Sequence, residues 1–208
     1  MRKEEIAEGL LSIQAVFLRP KEPFTWASGI HSPIYCDNRL TLSFPEVRRK
    51  IEKGLAELVR EHFPEASALF GTSTAGIAHA ALAAEILDLP MGYVRGSAKD
   101  HGRQNQIEGA LSEGQPVVVV EDLISTGGSS LAAAAAIRNA GAEVIGMVAI
   151  FTYAFPVAQT NFRNHNVKLC TLADYPSLIR LLSDRGRIAQ DQLATLEEWR
   201  QAPEKWRR

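Results

Sequence analysis

Pro116-Val-Val-Val-Val-Glu-Asp-Leu-Ile-Ser-Thr-Gly-Gly-Ser-Ser130 is the stretch that decides the fold. Val117 to Val120 form an unbroken β-branched run, which suits a strand buried on both faces of a parallel sheet. Two carboxylates, Glu121 and Asp122, stand at its C-terminal end. Small residues follow, and an alanine-rich segment from Leu131 to Ala140 predicts a helix that Gly141 ends. Strand, polar turn and helix in that order make one unit of a doubly wound α/β fold.

The turn also carries chemistry. A loop entering a helix N-terminus offers unpaired backbone N–H groups, and with only small side chains around them those amides can close on a phosphate. Ser125, Thr126, Ser129 and Ser130 add hydroxyl donors. The two acids would repel a phosphate, yet they accept hydrogen bonds from neutral hydroxyls such as a ribose diol. A sugar phosphate fits both halves. No Gly-Lys-Ser/Thr is present, so this is not a Walker A loop, and no Gly-x-Gly-x-x-Gly follows a strand.

On either side of this stretch a βα rhythm repeats. Strands are expected at 66–70, 91–95, 116–121, 144–151 and 167–172, with helices near 76–88, 129–140 and 156–164, then 175–183 and 189–200. Five strands in this rhythm imply a mostly parallel, doubly wound sheet with ligands at the C-terminal strand ends. Gly71-Thr-Ser-Thr-Ala-Gly76 follows the first sheet strand and opens a helix. It is a second small-residue loop suited to an anion, so two cradles could hold two phosphate groups of one ligand.

Before the sheet, Ile6, Leu10, Ile13 and Phe17 recur at helical spacing. Phe24-Thr-Trp-Ala-Ser-Gly-Ile-His-Ser-Pro-Ile-Tyr35 has the pattern of a hairpin around Ala-Ser-Gly, with Pro33 fitting only an edge strand. Ser43-Phe-Pro-Glu46 matches a capping box with Ser43 as N-cap. His62, His79 and His165 are taken as structural or solvated, and Trp199 and Trp206 as packing anchors. The whole chain, 1–208, is expected to be one domain.

Tyr93 to Gly109 is long, polar and without a strand pattern. Arg95, Lys99 and His101, spaced by Gly96 and Gly102, suit a mobile arm that closes over an anion. A net charge of −1 recommends neither nucleic acid nor an acidic membrane as partner. No segment approaches the roughly 18 apolar residues of a membrane span. Cys36 and Cys170 belong to no metal or redox pattern, and a reduced, cytoplasmic protein is expected.

The 117–130 stretch resembles the phosphoribosyl diphosphate signature of type I phosphoribosyltransferases. Arg-x-x-x-Lys-x-His-Gly, matched at Arg95, Lys99, His101 and Gly102, looks like the catalytic loop of the orotate phosphoribosyltransferases in that family. The resemblance implies the type I fold, with a small hood from about residues 1–40 and the C-terminal region. It implies transfer of ribose 5-phosphate from 5-phosphoribosyl 1-diphosphate to orotate, a step of pyrimidine nucleotide synthesis. Arg95, Lys99, His101, Glu121, Asp122, Leu123, Ile124, Ser125, Thr126, Gly127, Gly128 and Ser129 are then expected around phosphoribosyl diphosphate. Lys99, His101 and Asp122 are the expected catalytic groups. Magnesium is expected on ligand oxygens, with no metal-ligand cluster in the chain, and a homodimer is expected in which each arm reaches the neighbour's site.

Some members of the family have lysine where this chain has Ala27 or Ala75, and arginine within the stretch that here reads Phe151-Thr-Tyr-Ala-Phe-Pro156. Phe24-Thr-Trp-Ala-Ser-Gly and Asp37-Asn-Arg39 resemble a different branch. Ser125 is the first choice for contacting orotate, with Arg39 and His31 behind it. Two other functions share part of the pattern. A purine phosphoribosyltransferase would have the 117–130 stretch without the arm or the hairpin, and a non-enzymatic sensor of phosphoribosyl diphosphate would need an added nucleic-acid-binding region.

Overall fold

The computed structural model describes residues 3–20, 22–26, 29–96 and 106–206. Helix α1 (Lys3–Ser12) leads to β1 (Val16–Leu18), β2 (Phe24–Thr25), β3 (His31–Ser32) and β4 (Ile34–Cys36). A 3-10 helix over Asn38–Ser43 precedes α2 (Pro45–His62). The sheet region runs β5 (Ala68–Thr72), α3 (Ala75–Leu87), β6 (Met91–Val94), β7 (Ile107–Glu108), β8 (Pro116–Ile124), α4 (Gly128–Asn139), β9 (Glu143–Thr152), α5 (Pro156–Asn164) and β10 (Leu169–Asp174). Helices α6 (Tyr175–Asp184) and α7 (Gln190–Gln201) follow. None of the described helices is long and apolar enough to cross a membrane.

The β-branched run does what its composition demands. Val117 to Val120 are fully buried in β8, between β5 and β9, and both pairings are parallel. The main sheet has the order β10-β9-β8-β5-β6-β7. From β5 the chain steps outward to β6 and β7, then returns to the other side of β5 and continues outward through β8, β9 and β10. The order therefore reverses between β5 and β8, and the crevice beyond their C-terminal ends is where an open α/β sheet takes its ligands.

This sheet has six strands where the sequence pattern predicts five. The sixth, β7, runs antiparallel to β6, with Val94 opposite Ile107 and Tyr93 opposite Glu108. The 93–109 segment is thus not strandless: its two legs zip together, and Arg95 N donates to Gln106 O at 2.8 Å.

Above the sheet lies the hood. Strands β1 and β4 pair antiparallel, as do β2 and β3, where Thr25 faces His31. Helix α1 ends at Ser12, five residues short of what the apolar spacing suggests. Ala15 N still bonds back to Leu10 O, but Gln14 at φ +55° turns the chain, so Phe17 enters β1 opposite Tyr35 and is 39% exposed. The capping box does not form either. Phe44 is the N-cap of α2, Ser43 closes the preceding 3-10 turn, and Pro45 with its fixed φ starts the helix.

Helix α7 fastens the hood from behind. Trp199 is fully buried and donates from Nε1 to His31 O at 3.0 Å. The rings of Trp26, Tyr153, Phe155 and Tyr175 surround it at 5.1 to 5.8 Å. Trp206 is also buried. His79 lies fully buried in α3, where burial pushes its pKa down to about 4 and keeps the ring neutral.

Candidate active site

Two loops meet at the reversal between β5 and β8. The first turns from Thr72 into α3. Gly76 is required there by close approach, since a Cβ on it would stand 2.4 Å from Val120 O of the neighbouring strand. Ser73 N and Oγ both donate to Val94 O, at 2.9 and 2.5 Å, and no side chain caps α3.

The second loop leaves β8. Gly127 takes the left-handed conformation at φ +82° and stands at the N-cap of α4, again without a side-chain cap. The first amides of α4 are therefore left for another acceptor. Asn161 of α5 donates from Nδ2 to Thr126 O at 3.0 Å and holds the loop from outside. Ser125 and Thr126 are half-buried, while Gly128 and Ser129 are exposed. The Ile124 side chain points into the core, so only its backbone belongs to the loop.

The paired acids differ sharply. Glu121 is buried, and its Oε1 accepts from Thr72 Oγ1 at 2.6 Å and from Asp122 N at 3.0 Å. Its Oε2 accepts from Ser130 Oγ at 2.8 Å. Asp122 has its pKa pushed up to about 7, by burial first and by the neighbouring Glu121 carboxylate second. Its main chain is held from the hood, where Asn38 Nδ2 donates to Asp122 O at 2.7 Å.

A cavity of about 500 Å³ opens beside Asp122, lined by Phe24, Thr25, Trp26, Tyr35, Cys36, Leu123, Ser125 and Tyr153. Half of its lining residues are aromatic, which suits a flat ring. On the other side a cleft of about 170 Å³ lies between the first loop, the root of the arm and α4, with Thr72, Ser73, Arg95, Glu121 and Ser129 among its lining. Arg95 faces Glu108 at 3.4 Å across the arm's stem. Lys99 and His101 lie outside the described residues.

The structure thus gathers Arg95 and the 121–129 residues at one edge. His31 faces α7 through its carbonyl, and Arg39 is clamped by Asp37 through two 2.7 Å bonds, which hold the Asp37 carboxyl below its usual range. Thr72, Asn38, Trp26, Tyr35, Cys36 and Tyr153 belong to the site's surroundings without having stood out in the sequence. The quoted patterns contain Thr72, Trp26, Tyr35, Asn38 and Tyr153 without marking any of them individually, and Cys36 stood outside every pattern tied to a ligand.

Comparison with known proteins agrees with this geometry. The phosphoribosyl transferase domain family matches residues 42–176. Orotate phosphoribosyltransferase of Bacillus subtilis is 59% identical over 202 residues, covering 97% of this chain and 94% of that one. That of Listeria innocua is 56% identical, with 98% of each chain covered. Among solved structures, orotate phosphoribosyltransferase from Aeropyrum pernix aligns with a TM-score of 0.75 at 28% identity, covering 88% of this chain and 99% of that one. UMP synthase of Leishmania donovani aligns with a TM-score of 0.80 at 25% identity over 95% of this chain, which spans 42% of that longer protein. The chain belongs to the phosphoribosyl transferase family and, within it, to the orotate phosphoribosyltransferases.

Proposed function

We propose that this protein transfers the 5-phosphoribosyl group from 5-phosphoribosyl 1-diphosphate to a ring nitrogen of orotate, releasing diphosphate and orotidine 5′-monophosphate. One observation carries the reading: two small-residue loops suited to anions follow neighbouring strands with a pair of acids between them, and an aromatic cavity large enough for a pyrimidine borders the second loop. The loop 125–129 and the amides of α4 grip the 5′-phosphate. Asp122 accepts from the ribose hydroxyls, with Glu121 beside it. Ser125, on the cavity wall, contacts the base.

As diphosphate departs, the sugar becomes cation-like and negative charge collects on the leaving oxygens. The loop at 72–76 and Arg95 receive the diphosphate, and Lys99 and His101 complete its neutralisation when the arm closes and excludes water. Magnesium fits this donor set as an ion carried on substrate oxygens and waters. Glu121 is occupied by Thr72 and Ser130, which leaves Asp122 as the carboxylate beside it. When bound, the ion neutralises charge on the diphosphate.

The stem formed by β6 and β7 sets the arm at the outer edge of the sheet, and in a twofold dimer two such arms serve each other's sites. The reading is tested by following base consumption with phosphoribosyl diphosphate and magnesium, offering orotate, uracil, hypoxanthine and adenine separately. Orotate alone should be consumed at an enzymatic rate. Consumption of a purine in its place would overturn the assignment.

A further inference from the structure

We propose that Asn38 is a positioning residue that joins the base cavity to the ribose-binding acid, so that filling one sets the other. The proposal rests on the reading of Asp122 given above. Asn38 is fully buried at the start of the 3-10 turn, and both ends of its amide are used. Nδ2 donates to Asp122 O at 2.7 Å, and Oδ1 accepts from Cys36 Sγ at 3.2 Å. The same residue is tied down by Thr41, whose Oγ1 donates to Asn38 O at 2.5 Å.

What the amide connects gives it more than a packing role. Cys36 lines the aromatic cavity together with Leu123, near the end of β8, and Ser125, just beyond it. Asp122 lies two residues beyond Val120, where the β5–β8 ladder stops. At this level no backbone pairing to β5 fixes the strand, and the hood's amide meets the carbonyl instead. The peptide plane it holds carries the Asp122 side chain on one side and leads to Leu123 and Ser125 on the other. A base pressing on the Cys36 wall and a ribose meeting Asp122 therefore act on one short hydrogen-bonded chain.

The test is a double-mutant cycle on kcat/KM for phosphoribosyl diphosphate. Asn38→Leu keeps the volume and removes both bonds, and should lower kcat/KM about tenfold in the parent enzyme. In an Asp122→Asn background the same change should cost less than about twofold, because the acid being positioned has already lost its function. Thermal midpoints should meanwhile fall by the same amount in both backgrounds. Should Asn38→Leu not fold, Asn38→Ser and Cys36→Ala carry the same cycle. Losses that multiply would make Asn38 a purely structural residue and overturn the proposal, as would parent kinetics in folded Asn38→Leu. Parent kinetics in Asp122→Asn would instead overturn the role of Asp122, and the coupling with it.

Discussion

Thr72 Oγ1 donates to Glu121 Oε1 at 2.6 Å, and this bond joins the last residue of β5, where its loop begins, to the end of β8. Ser130 completes the join from the far side by donating to Oε2, which ties in the start of α4. Glu121 is thus the point where the turns after β5 and β8 are tied together, and the proposed reading needs them at a fixed separation.

Thr72→Val removes a hydrogen bond to a buried carboxylate while keeping the shape of the side chain. Such a bond is worth about 1.5–3 kcal/mol, and Oε1 keeps its bond from Asp122 N, so the loss should lie near the lower figure. Urea unfolding of the variant measures it. Unchanged stability would mean that the two loops are held by other contacts.

The elevated pKa of Asp122 gives a stability signature with a definite sign. An unfolded aspartate ionises near pH 3.9, whereas the folded group titrates at about 7. Between those values the folded chain holds a proton that the unfolded chain has released, so stability declines as pH rises through the window and levels off above it. Asp122→Asn should therefore melt higher than the parent at pH 8 and no higher at pH 4.

Activity should run the opposite way, because only the ionised carboxylate is a strong acceptor for a ribose hydroxyl. In the parent, kcat/KM for phosphoribosyl diphosphate should rise with pH through about 7. Asp122→Asn should lose that inflection and fall roughly tenfold to a hundredfold at pH 8. A variant that keeps the inflection would assign it to another group.

Gly127 and Gly128 are neighbours with opposite expectations. At Gly127 an alanine would be held at φ +82° with its Cβ 2.5 Å from the Phe162 ring. Gly127→Ala should cost about 1–3 kcal/mol and raise KM for phosphoribosyl diphosphate. At Gly128, the first residue of α4, the nearest atom to a new Cβ is 3.9 Å away. Gly128→Ala should leave stability unchanged or slightly raised. Equal losses at both positions, measured by denaturant melts, would show that conformation is not what the loop requires of Gly127.

Lys99→Ala should lower kcat on the order of a hundredfold, with KM little changed, if its charge meets the leaving diphosphate. Lys99→Ala and Asp122→Asn chains, unfolded together and refolded as a mixture, test whether sites are shared. About half the dimers are then mixed, and one site in each receives both parental groups, so activity should return to about a quarter of the parent's. A mixture no more active than its components, with mixed dimers confirmed, would mean that each arm serves its own chain.

The doubly buried strand and its turn were legible because local composition alone marks them. Val117 to Val120 have no polar face, and the small residues from Ser125 onward mark a turn into a helix. What escaped was non-local or very short. The donors that fix Glu121 come from 49 residues upstream and nine downstream. The cavity is assembled from β2, β4 and β8 and the residues just beyond β2, β8 and β9, and Asn38 reaches Asp122 across 84 residues. Two paired residues, Ile107 and Glu108, are too few for any periodicity to show. Phe17 misled because its spacing from Ile13 stays helical after Gln14 has turned the chain.

The most direct test of the account is the stoichiometry of products when the enzyme is given orotate, phosphoribosyl diphosphate and magnesium. Orotidine 5′-monophosphate and diphosphate should appear in equal amounts, each matching the orotate consumed. Diphosphate released without nucleotide, or no reaction with orotate at all, would contradict the assignment of the cavity beside Asp122 to the base.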